Sequence, residues 1–528
     1  MVNRPLGAQI SHMLKARGID VVFGIPGVHN IEMYRGIEEA GLRHVLARHE
    51  QGAAFMADGY ARATGGPGVC FVITGPGLCN ALTALGQAYS DSVPVLAISS
   101  CLDETASGRG QLHQMIDQAG AAAAVCEWSL EGRGSEAVYG LIDRALNEFA
   151  TARPRPRHIQ VSVSLGGAVS APAANATGRV AERPRASSAD VRETARILGA
   201  AKKPLVIFGG GAAGAGPAAR DVVDKSGAAA FTTYAGRGIV NPEHPLCFGA
   251  YLARPESERV IGEADVVLAV GTELSEVDLW RNELGAKGIV IRVDMDPAEL
   301  NHPRSDIAII SDARLFLEEL ASLLPGKKSS IWSPEYIAKC KARWRGETDA
   351  ERPGIVPVCE ALASAVPPDA MIYSDMTQFA YVAKEVWPMF KPGHWHHPFG
   401  FGTLGYALPA AIGGALGRCG KPTLCIAGDY GFQYTIQELG TAVEMKLPLP
   451  IVIWDNGKLK EIEESMIRSQ IAPNAVIAKN PDFCALANAY GAHASRPEST
   501  SELIDDLAKS FNADKPTLIH VAADIASR

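Results

Sequence analysis

The stretch Thr423-Leu424-Cys425-Ile426-Ala427-Gly428-Asp429-Tyr430-Gly431-Phe432 decides the fold of the last third of this chain. Its apolar first half is typical of a strand buried on both faces, and a helical pattern follows it as far as Lys446. A second apolar run, Ile451-Val452-Ile453-Trp454, ends in Asp455-Asn456-Gly457. A strand, a helix and a strand form a parallel unit in which both strands end at the same edge of the sheet. We therefore expect Asp429 and Asn456 to lie close together.

The same alternation of short apolar runs and alanine-rich helical patterns extends through the whole chain. The predicted strands cover residues 21–23, 69–74, 95–99, 204–208, 228–233, 265–270, 288–294, 371–374, 423–427, 450–454 and 517–521. This pattern predicts an α/β protein with three doubly wound parallel-sheet domains. Two stretches rich in Pro, Ala, Ser and Lys interrupt it, at residues 170–190 and 325–330. The domains are therefore expected at residues 1–172, 188–325 and 345–528, and the first and third could share a topology.

Composition excludes several classes of function. The net charge of −8 includes no block of Lys and Arg, so nucleic acids and anionic membranes are unlikely partners and small molecules are favoured. The ten cysteines form no CxxC pair and no disulfide framework, which favours a reduced, cytoplasmic location. No apolar signal core and no run of about 20 apolar residues is visible, so we expect no membrane segment.

The turn after residue 428 has the chemistry of a phosphate and metal site. A strand-to-helix turn points backbone N–H groups at an anion. The carboxylate of Asp429 and the amide oxygen of Asn456 form a set of hard oxygen ligands that suits Mg²⁺ or Ca²⁺. The alternative is that these are two ordinary turns between strands and helices.

Gly-Asp-X followed at this distance by Asn resembles the metal and diphosphate motif of the thiamine-diphosphate-dependent 2-oxo acid decarboxylases and acetolactate synthases. The resemblance covers essentially the whole chain. It implies that Asp429, Asn456 and the Lys458 carbonyl bind the metal, and that Tyr430 and Gly431 contact the diphosphate. On this resemblance the three domains are a pyrimidine-binding, a middle and a diphosphate-binding domain.

Two further segments carry the resemblance. Phe399-Gly400-Phe401-Gly402-Thr403-Leu404-Gly405 is similar to the family's aminopyrimidine loop. It implies that Gly402 and Leu404 bind the pyrimidine edge and that the Leu404 side chain wedges the cofactor into its bent form. Arg48-His49-Glu50-Gln51-Gly52 is similar to the segment whose glutamate contacts the pyrimidine N1′. Glu50 would thereby favour the tautomer that removes the C2 proton and forms the nucleophilic ylide.

Loops that resemble the family's active-site loops supply the remaining candidates. The cofactor candidates are Pro26, Thr74, Asn80, Thr377 and Gln378, and the catalytic candidates besides Glu50 are His29, His113 and Gln114. For each histidine, a packed or surface role is the alternative. Because the resemblance places the two halves of the site on different domains, it implies a homodimer or homotetramer with active sites between subunits.

The middle domain contains Gly209-Gly210-Gly211-Ala212-Ala213-Gly214, which satisfies G-x-G-x-x-G. The match is weak, because no Asp or Glu at the end of the following strand completes a dinucleotide fingerprint. Some relatives bind FAD in this domain, but FAD is not favoured here.

Two residues depart from the family pattern beside the cofactor. Tyr430 replaces a glycine and Asp455 replaces an asparagine. We expect Tyr430 to crowd the diphosphate or strain the turn, and Gly431 to restore backbone freedom. We expect Asp455 to add negative charge near an anionic group, and the Lys458 side chain to offset it.

The resemblance also implies a reaction. The ylide attacks a 2-oxo acid, CO₂ leaves, and the enamine is either protonated to an aldehyde or added to a second carbonyl. Residues 24–30, residues 109–118 and Glu461-Ile462 look closer to the branch that decarboxylates 5-guanidino-2-oxopentanoate than to acetolactate synthases. Simple decarboxylation is therefore predicted.

Other interpretations remain open. Glu463-Glu464 could meet a cationic substrate tail or form a solvated helix face. The first alternative function is an acetolactate-synthase-type carboligase. The second, motivated by Tyr430 and Asp455, is a non-catalytic cofactor-binding protein that serves assembly or regulation.

Overall fold

Three parallel sheets of six strands each organise the protein. The structure is a computed structural model that describes residues 2–103, 110–175, 182–303, 305–326 and 328–527. Arg109, at the start of one family-like run, and residues 176–181, inside the predicted linker, lie outside this part of the chain. The prediction of three α/β units with parallel sheets is confirmed.

The first and third sheets share one topology. In spatial order, the first sheet contains Arg43–Leu46, Val21–Gly24, Gly68–Val72, Val95–Cys101, Arg157–Ser162 and Trp128–Gly132. The third contains Trp395–His396, Met371–Ser374, Thr423–Gly428, Pro450–Asp455, Thr517–Ala522 and His493–Ser495. Numbered along the chain within each sheet, both run in the order 2-1-3-4-6-5. The suspected likeness of these two domains is therefore present in their strand order.

The middle sheet has a different order. It contains, in space, Cys247–Gly249, Ala229–Thr232, Pro204–Phe208, Val266–Val270, Ile289–Asp294 and Ile307–Ile310. Its chain order, 3-2-1-4-5-6, is that of dinucleotide-binding folds. A small antiparallel pair, Arg4–Pro5 with Val169–Ser170, closes the first domain.

Helices cover both faces of each sheet, which is why the central strands are apolar along their whole length. Those of the first domain are Leu6–Ala16, Ile31–Tyr34, Ile37–Ala40, Glu50–Thr64, Pro76–Ser90, Gln118–Ala123, Ser135–Thr151 and Val163–Gly167. The middle sheet is flanked by Ser188–Ala200, Gly216–Ser226, Pro255–Gly262, Glu276–Leu279, Ala313–Leu323 and Pro334–Glu351, with 3₁₀ helices Gly210–Ala215 and Pro297–Leu300. The third domain has Ile355–Ala365, Gln378–Val386, Ala407–Gly417, Asp429–Tyr434, Leu439–Glu444, Lys460–Arg468, Phe483–Tyr490 and Thr500–Ser510, with 3₁₀ helices Ile436–Glu438 and Ile525–Ser527.

The helix Pro334–Glu351 begins between two of the predicted domain ranges. Its Trp344 is fully buried and packs against Phe231 and Phe248 of the middle sheet. The exact domain boundaries stay a prediction. No helix among the described residues is both long enough and apolar enough to cross a membrane.

The first and third domains meet through two helices that touch backbone to backbone. A side chain at Gly59, in the helix Glu50–Thr64, would overlap the Ala410 carbonyl, and one at Gly413 would overlap the Met56 carbonyl. Beside this contact the Tyr406 hydroxyl donates to Asp58 at 2.9 Å. Apolar residues of both domains form one continuous core around these helices.

We predict that Gly59→Ala destabilises the protein by about 2–3 kcal/mol, because the added methyl group forces the two helices apart. The midpoint of thermal unfolding measures this effect. Gly140→Ala is the matched control, since Gly140 lies in the exposed face of the helix Ser135–Thr151 with open space around it. That change should stabilise by roughly 0.5–1 kcal/mol. Equal midpoints for Gly59→Ala and the parent would contradict the prediction.

Candidate functional site

The candidate residues lie where connections leave the first and third sheets in opposite directions, which is where open parallel sheets bind ligands. In the third sheet this point lies between Met371–Ser374 and Thr423–Gly428. The residues that follow these two strands include Thr377, Gln378, Tyr430 and Gly431. In the first sheet it lies between Val21–Gly24 and Gly68–Val72, followed by Pro26, His29, Thr74 and Asn80.

The turn after the strand Thr423–Gly428 is unstrained. Tyr430 lies in the helix Asp429–Tyr434 without a positive φ, and its ring lies 5.8 Å from that of Tyr434. The expected strain at Tyr430 is therefore wrong. Gly431 also has an ordinary helical backbone, so it does not restore backbone freedom. Its role is steric, because a Cβ there would lie 2.9 Å from Asp375 Oδ2 and 3.4 Å from Leu404 Cδ2.

Asp375 is a site residue that sequence reasoning did not single out. It is buried, and its carboxylate accepts hydrogen bonds from the backbone of Met376 and Gly405, each at 2.8 Å. Burial raises the pKa of Asp375 to about 6, in spite of these hydrogen bonds. The carboxylate thus anchors the loop of Gly402 and Leu404. Gly402 has a φ of +68°, a conformation that favours glycine.

Asp429 is buried and belongs to a network of polar side chains. Asn480 Nδ2 donates to Asp429 Oδ2 at 2.6 Å and to Asp455 Oδ1 at 2.9 Å. The other oxygen of Asp455 receives a hydrogen bond from His520 Nε2 at 2.7 Å. Burial and the neighbouring Asp455 carboxylate raise the pKa of Asp429 above its usual value. Asp429 and Asp455 are therefore joined through one amide group, whereas the closeness of Asp429 and Asn456 stays a prediction.

The Lys458 side chain does not offset Asp455, so that expectation is wrong. Lys458 Nζ pairs with Glu463 at 3.0 Å, whereas Asp455 contacts His520 Nε2 at 2.7 Å. The Asn456 side-chain oxygen accepts a hydrogen bond from the Lys458 backbone N–H at 3.2 Å. Within the described ranges, no three His, Cys, Asp or Glu side chains form a metal-binding group. The metal site that the resemblance implies is of a different kind, because its ligands are the Asp429 carboxylate, the Asn456 amide oxygen and the Lys458 backbone carbonyl.

Glu50 begins the helix Glu50–Thr64, and its local contacts lie in the first domain. Its Oε2 accepts a hydrogen bond from Asn80 Nδ2 at 2.9 Å. The His49 side chain caps the same helix by accepting from the Gln51 N–H at 3.2 Å. The structure thus brings Glu50 and Asn80 together.

His29 and His113 form an edge-to-face pair with ring centroids 4.9 Å apart. Burial and the neighbouring His113 lower the pKa of His29. Each Nδ1 atom is buried and has no hydrogen-bond partner among the described residues. The Thr74 hydroxyl donates to Gln118 at 2.6 Å, and the Gln114 side chain accepts from the Gln111 N–H at 3.0 Å.

Glu438, from the third domain, holds the segment that precedes Glu50. Its buried carboxylate accepts hydrogen bonds from the N–H groups of Arg48 at 3.1 Å and His49 at 2.9 Å. Gly52 makes room for it, because a side chain there would overlap the carboxylate. Sequence reasoning missed Glu438, since nothing local links it to residues so distant in the chain.

The comparisons with known proteins identify the family. The N-terminal TPP binding domain of thiamine pyrophosphate enzymes matches residues 4–121, their central domain residues 191–320, and their C-terminal TPP binding domain residues 375–521. A probable 2-ketoarginine decarboxylase of Pseudomonas aeruginosa is 42% identical over 98% of this chain and 93% of its own length. The chain belongs to the thiamine pyrophosphate enzymes. The resemblance inferred from its motifs is therefore confirmed, and thiamine diphosphate is its cofactor.

Acetolactate synthases are also similar to this thiamine pyrophosphate enzyme. The isozyme 2 large subunit of Escherichia coli is 30% identical over 98% of this chain and 95% of its own length. A probable large subunit from Methanococcus aeolicus is 27% identical over 97% of this chain and 91% of its own length.

The helix Lys460–Arg468 places acidic groups beside Gln378, which follows the strand Met371–Ser374. Gln378 Nε2 donates to Glu461 at 3.2 Å and to Glu464 at 3.0 Å. Glu463 points elsewhere and pairs with Lys458 and Lys460. Of the suspected pair Glu463-Glu464, only Glu464 reaches Gln378, and it does so together with Glu461.

The glycine-rich loop of the middle domain is closed by backbone contacts. The Gly209 N–H donates to the Val270 carbonyl and the Gly211 N–H to the Gly271 carbonyl, both at 3.0 Å. A side chain at Gly209 would overlap the Gly271 carbonyl. Two backbone N–H groups that a phosphate site would need are therefore already hydrogen-bonded to carbonyl groups of the protein.

Burial raises the pKa of Glu438 to about 7 from an ordinary value of 4.5. Its stabilising contribution is therefore fully present below about pH 4.5 and is lost as the pH rises through 7. Glutamine does not titrate, so the unfolding midpoint of Glu438→Gln should rise relative to the parent between about pH 5 and pH 8. Glu444→Gln, at an exposed carboxylate paired with Arg48, is the control and should show no such trend. A constant difference for Glu438→Gln would refute the prediction.

Proposed function

We propose that this enzyme decarboxylates a 2-oxo acid with a cationic tail, best represented by 5-guanidino-2-oxopentanoate, to the corresponding aldehyde without oxidation. The observation that carries the proposal is the convergence of Glu461 and Glu464 on Gln378, beside the turn of Asp429. Two carboxylates at this position suit a guanidinium group, which donates up to five hydrogen bonds. Glu461 pairs with Arg352 at 3.1 Å and Glu464 with Lys460 at 3.3 Å, so the substrate tail would take the place of these cations. The 42% identity to a probable 2-ketoarginine decarboxylase supports the same substrate.

The residues fit the cofactor and its metal. Gly431 lets Asp375 and Leu404 pack closely against the turn of Asp429, and Gly402 has a left-handed backbone in a half-buried loop. Cofactor contacts are proposed for Pro26, Thr74, Asn80, Thr377, Gln378, Gly402, Leu404, Tyr430 and Gly431. Asp429, Asn456 and the Lys458 carbonyl would hold Mg²⁺ or Ca²⁺, because all three supply hard oxygen ligands.

When bound, thiamine diphosphate supplies a nucleophilic carbon that attacks the 2-oxo group and accepts the electrons left by CO₂. Glu50 would exchange a proton with the pyrimidine N1′, and Asn80 orients its carboxylate. Gln114 and the paired His29 and His113 are the proposed groups that orient the substrate carboxylate. The lowered pKa of His29 keeps that ring neutral near pH 7, so that it can donate one hydrogen bond through its N–H group.

We propose a homodimer or homotetramer with each active site between subunits. Glu50 and Asp429 lie on different domains, and their hydrogen-bond partners belong to their own domains. The helix Lys460–Arg468 has no buried residue and exposes Ile462 and Ile467, an apolar face that a second subunit would cover. All ten cysteines lie in described parts of the chain and are unpaired, which supports a cytoplasmic location.

We propose that the middle domain holds no FAD, because its glycine-rich loop uses its N–H groups internally. The second candidate function is an acetolactate-synthase-type carboligase, which the 30% identical relative favours. A non-catalytic role has lost part of its motivation, since Tyr430 is unstrained and both oxygens of Asp455 accept hydrogen bonds from the protein.

Incubation with 5-guanidino-2-oxopentanoate should yield the guanidino aldehyde and CO₂, identified by mass spectrometry. Glu50→Gln should lower kcat by about 10²–10⁴-fold. Exclusive formation of acetolactate from pyruvate would establish the second candidate instead. A parent enzyme that binds thiamine diphosphate but shows no exchange of its C2 proton would support the non-catalytic role.

We predict that Glu461→Gln and Glu464→Gln each lower kcat/KM for the guanidino acid by about 10–100-fold, since a hydrogen bond to a charged group contributes about 1.5–3 kcal/mol. Both variants should keep the parent value for 2-oxohexanoate, which lacks the charge. Glu463→Gln is the matched control and should leave the ratio of the two substrates unchanged. An equal loss of kcat/KM for both substrates would show that the two carboxylates do not bind the charged tail of the substrate.

A further inference from the structure

Asp455 lies next to the proposed metal ligand Asn456 and stands where the family pattern has an asparagine. Both of its carboxylate oxygens accept hydrogen bonds from the protein. Its Oδ1 accepts from the Gly457 N–H and from Asn480 Nδ2, each at 2.9 Å. Its Oδ2 accepts from His520 Nε2 at 2.7 Å. Both oxygens are therefore used by protein donors, which distinguishes Asp455 from a group that binds a metal ion directly.

Asn480 connects this carboxylate to Asp429. An amide has two N–H donors, and Asn480 directs one to Asp455 and one to Asp429, the latter at 2.6 Å. The orientation of the amide is fixed from the other side, because Gln433 Nε2 donates to Asn480 Oδ1 at 3.2 Å and to the Asp429 carbonyl at 3.0 Å. Asn480 consequently sets the direction of the Asp429 carboxylate.

The tautomer of His520 follows from its two contacts. Arg496 Nε donates to His520 Nδ1 at 3.1 Å. Because arginine can only donate, Nδ1 must accept, and the ring hydrogen lies on Nε2, where it is donated to Asp455. His520 is buried, so this hydrogen bond holds the Asp455 carboxylate in place.

We propose that Asp455 is a positioning residue, which holds Asn480 against Asp429 and is itself held by His520 and Arg496. The inference rests on the proposed role of Asp429 as a metal ligand. An asparagine at position 455 cannot replace the carboxylate in this chain. It accepts through one oxygen only, so it would leave the N–H of either Asn480 or His520 facing its own amide N–H₂ group.

The test is the Mg²⁺ affinity of the full-length apoprotein in saturating thiamine diphosphate, measured by isothermal titration calorimetry. We expect Asp455→Asn and Asn480→Ala each to weaken Mg²⁺ binding by about 10–100-fold, the usual effect of losing a partner of a metal ligand. The double variant should be no weaker than the poorer single variant, because both changes break one contact. His520→Leu should behave like Asp455→Asn, whereas His520→Gln, which keeps an N–H donor, should restore most of the affinity.

Asp514→Asn is the matched control. His493 Nε2 contacts Asp514 at 2.7 Å, so this is a second His–Asp pair of the same domain, but it is exposed and remote from the metal turn. The Mg²⁺ affinity of Asp514→Asn should equal that of the parent. Thermal unfolding of each variant identifies any variant that does not fold. In that case the Mg²⁺ affinity of His520→Gln is compared with that of the parent.

Affinities of Asp455→Asn and Asn480→Ala within twofold of the parent would overturn the inference. Additive losses in the double variant would also overturn it, because they would mean that Asp455 acts on the metal independently of Asn480. A parent protein that fails to bind Mg²⁺ with thiamine diphosphate is a different result, since it would refute the proposed metal site itself.

Discussion

The contact between the helices Glu50–Thr64 and Ala407–Gly417 is the constraint on which the rest of the structure depends. It requires glycine at positions 59 and 413, where each backbone meets a carbonyl of the other helix. Around it lie an interdomain hydrogen bond from the Tyr373 hydroxyl to the Gly59 carbonyl, at 2.8 Å, and the buried ion pair of Arg62 with Asp58, at 2.7 Å. Glu50 is the first residue of one of these helices, so its position is set by packing between two domains rather than by a loop.

Three aspartates of the third domain show how partners decide what a carboxylate does. Asp375 faces backbone N–H groups and anchors the loop that carries Gly402 and Leu404. Asp455 is surrounded by donors from side chains and backbone, whereas Asp429 receives the other N–H of the Asn480 amide. The same functional group therefore serves as a loop anchor, as a positioning group and, in the proposed function, as a metal ligand.

The two glycine-rich turns of the protein have different backbones. At residues 428–431 the strand leads directly into a helix whose first turn lies beside Thr377. At residues 209–214 the backbone folds into a 3₁₀ helix and hydrogen-bonds to the neighbouring loop. A match to G-x-G-x-x-G therefore does not by itself establish that the N–H groups of a loop are free to bind a phosphate.

The sequence by itself determined the fold class, most of the inner strands and the family, because buried parallel strands are apolar runs and the turns at their ends carry short motifs. It did not predict the inner strand Arg157–Ser162, in which polar residues interrupt the apolar run, or short edge strands such as Arg43–Leu46 and His493–Ser495. Only the tertiary structure decided that Tyr430 is unstrained, that His520 rather than Lys458 contacts Asp455, and that Glu438 holds the segment before Glu50. The physical reason is the same in each case: these contacts join residues far apart in the chain, and no local pattern encodes which donor will meet which carboxylate.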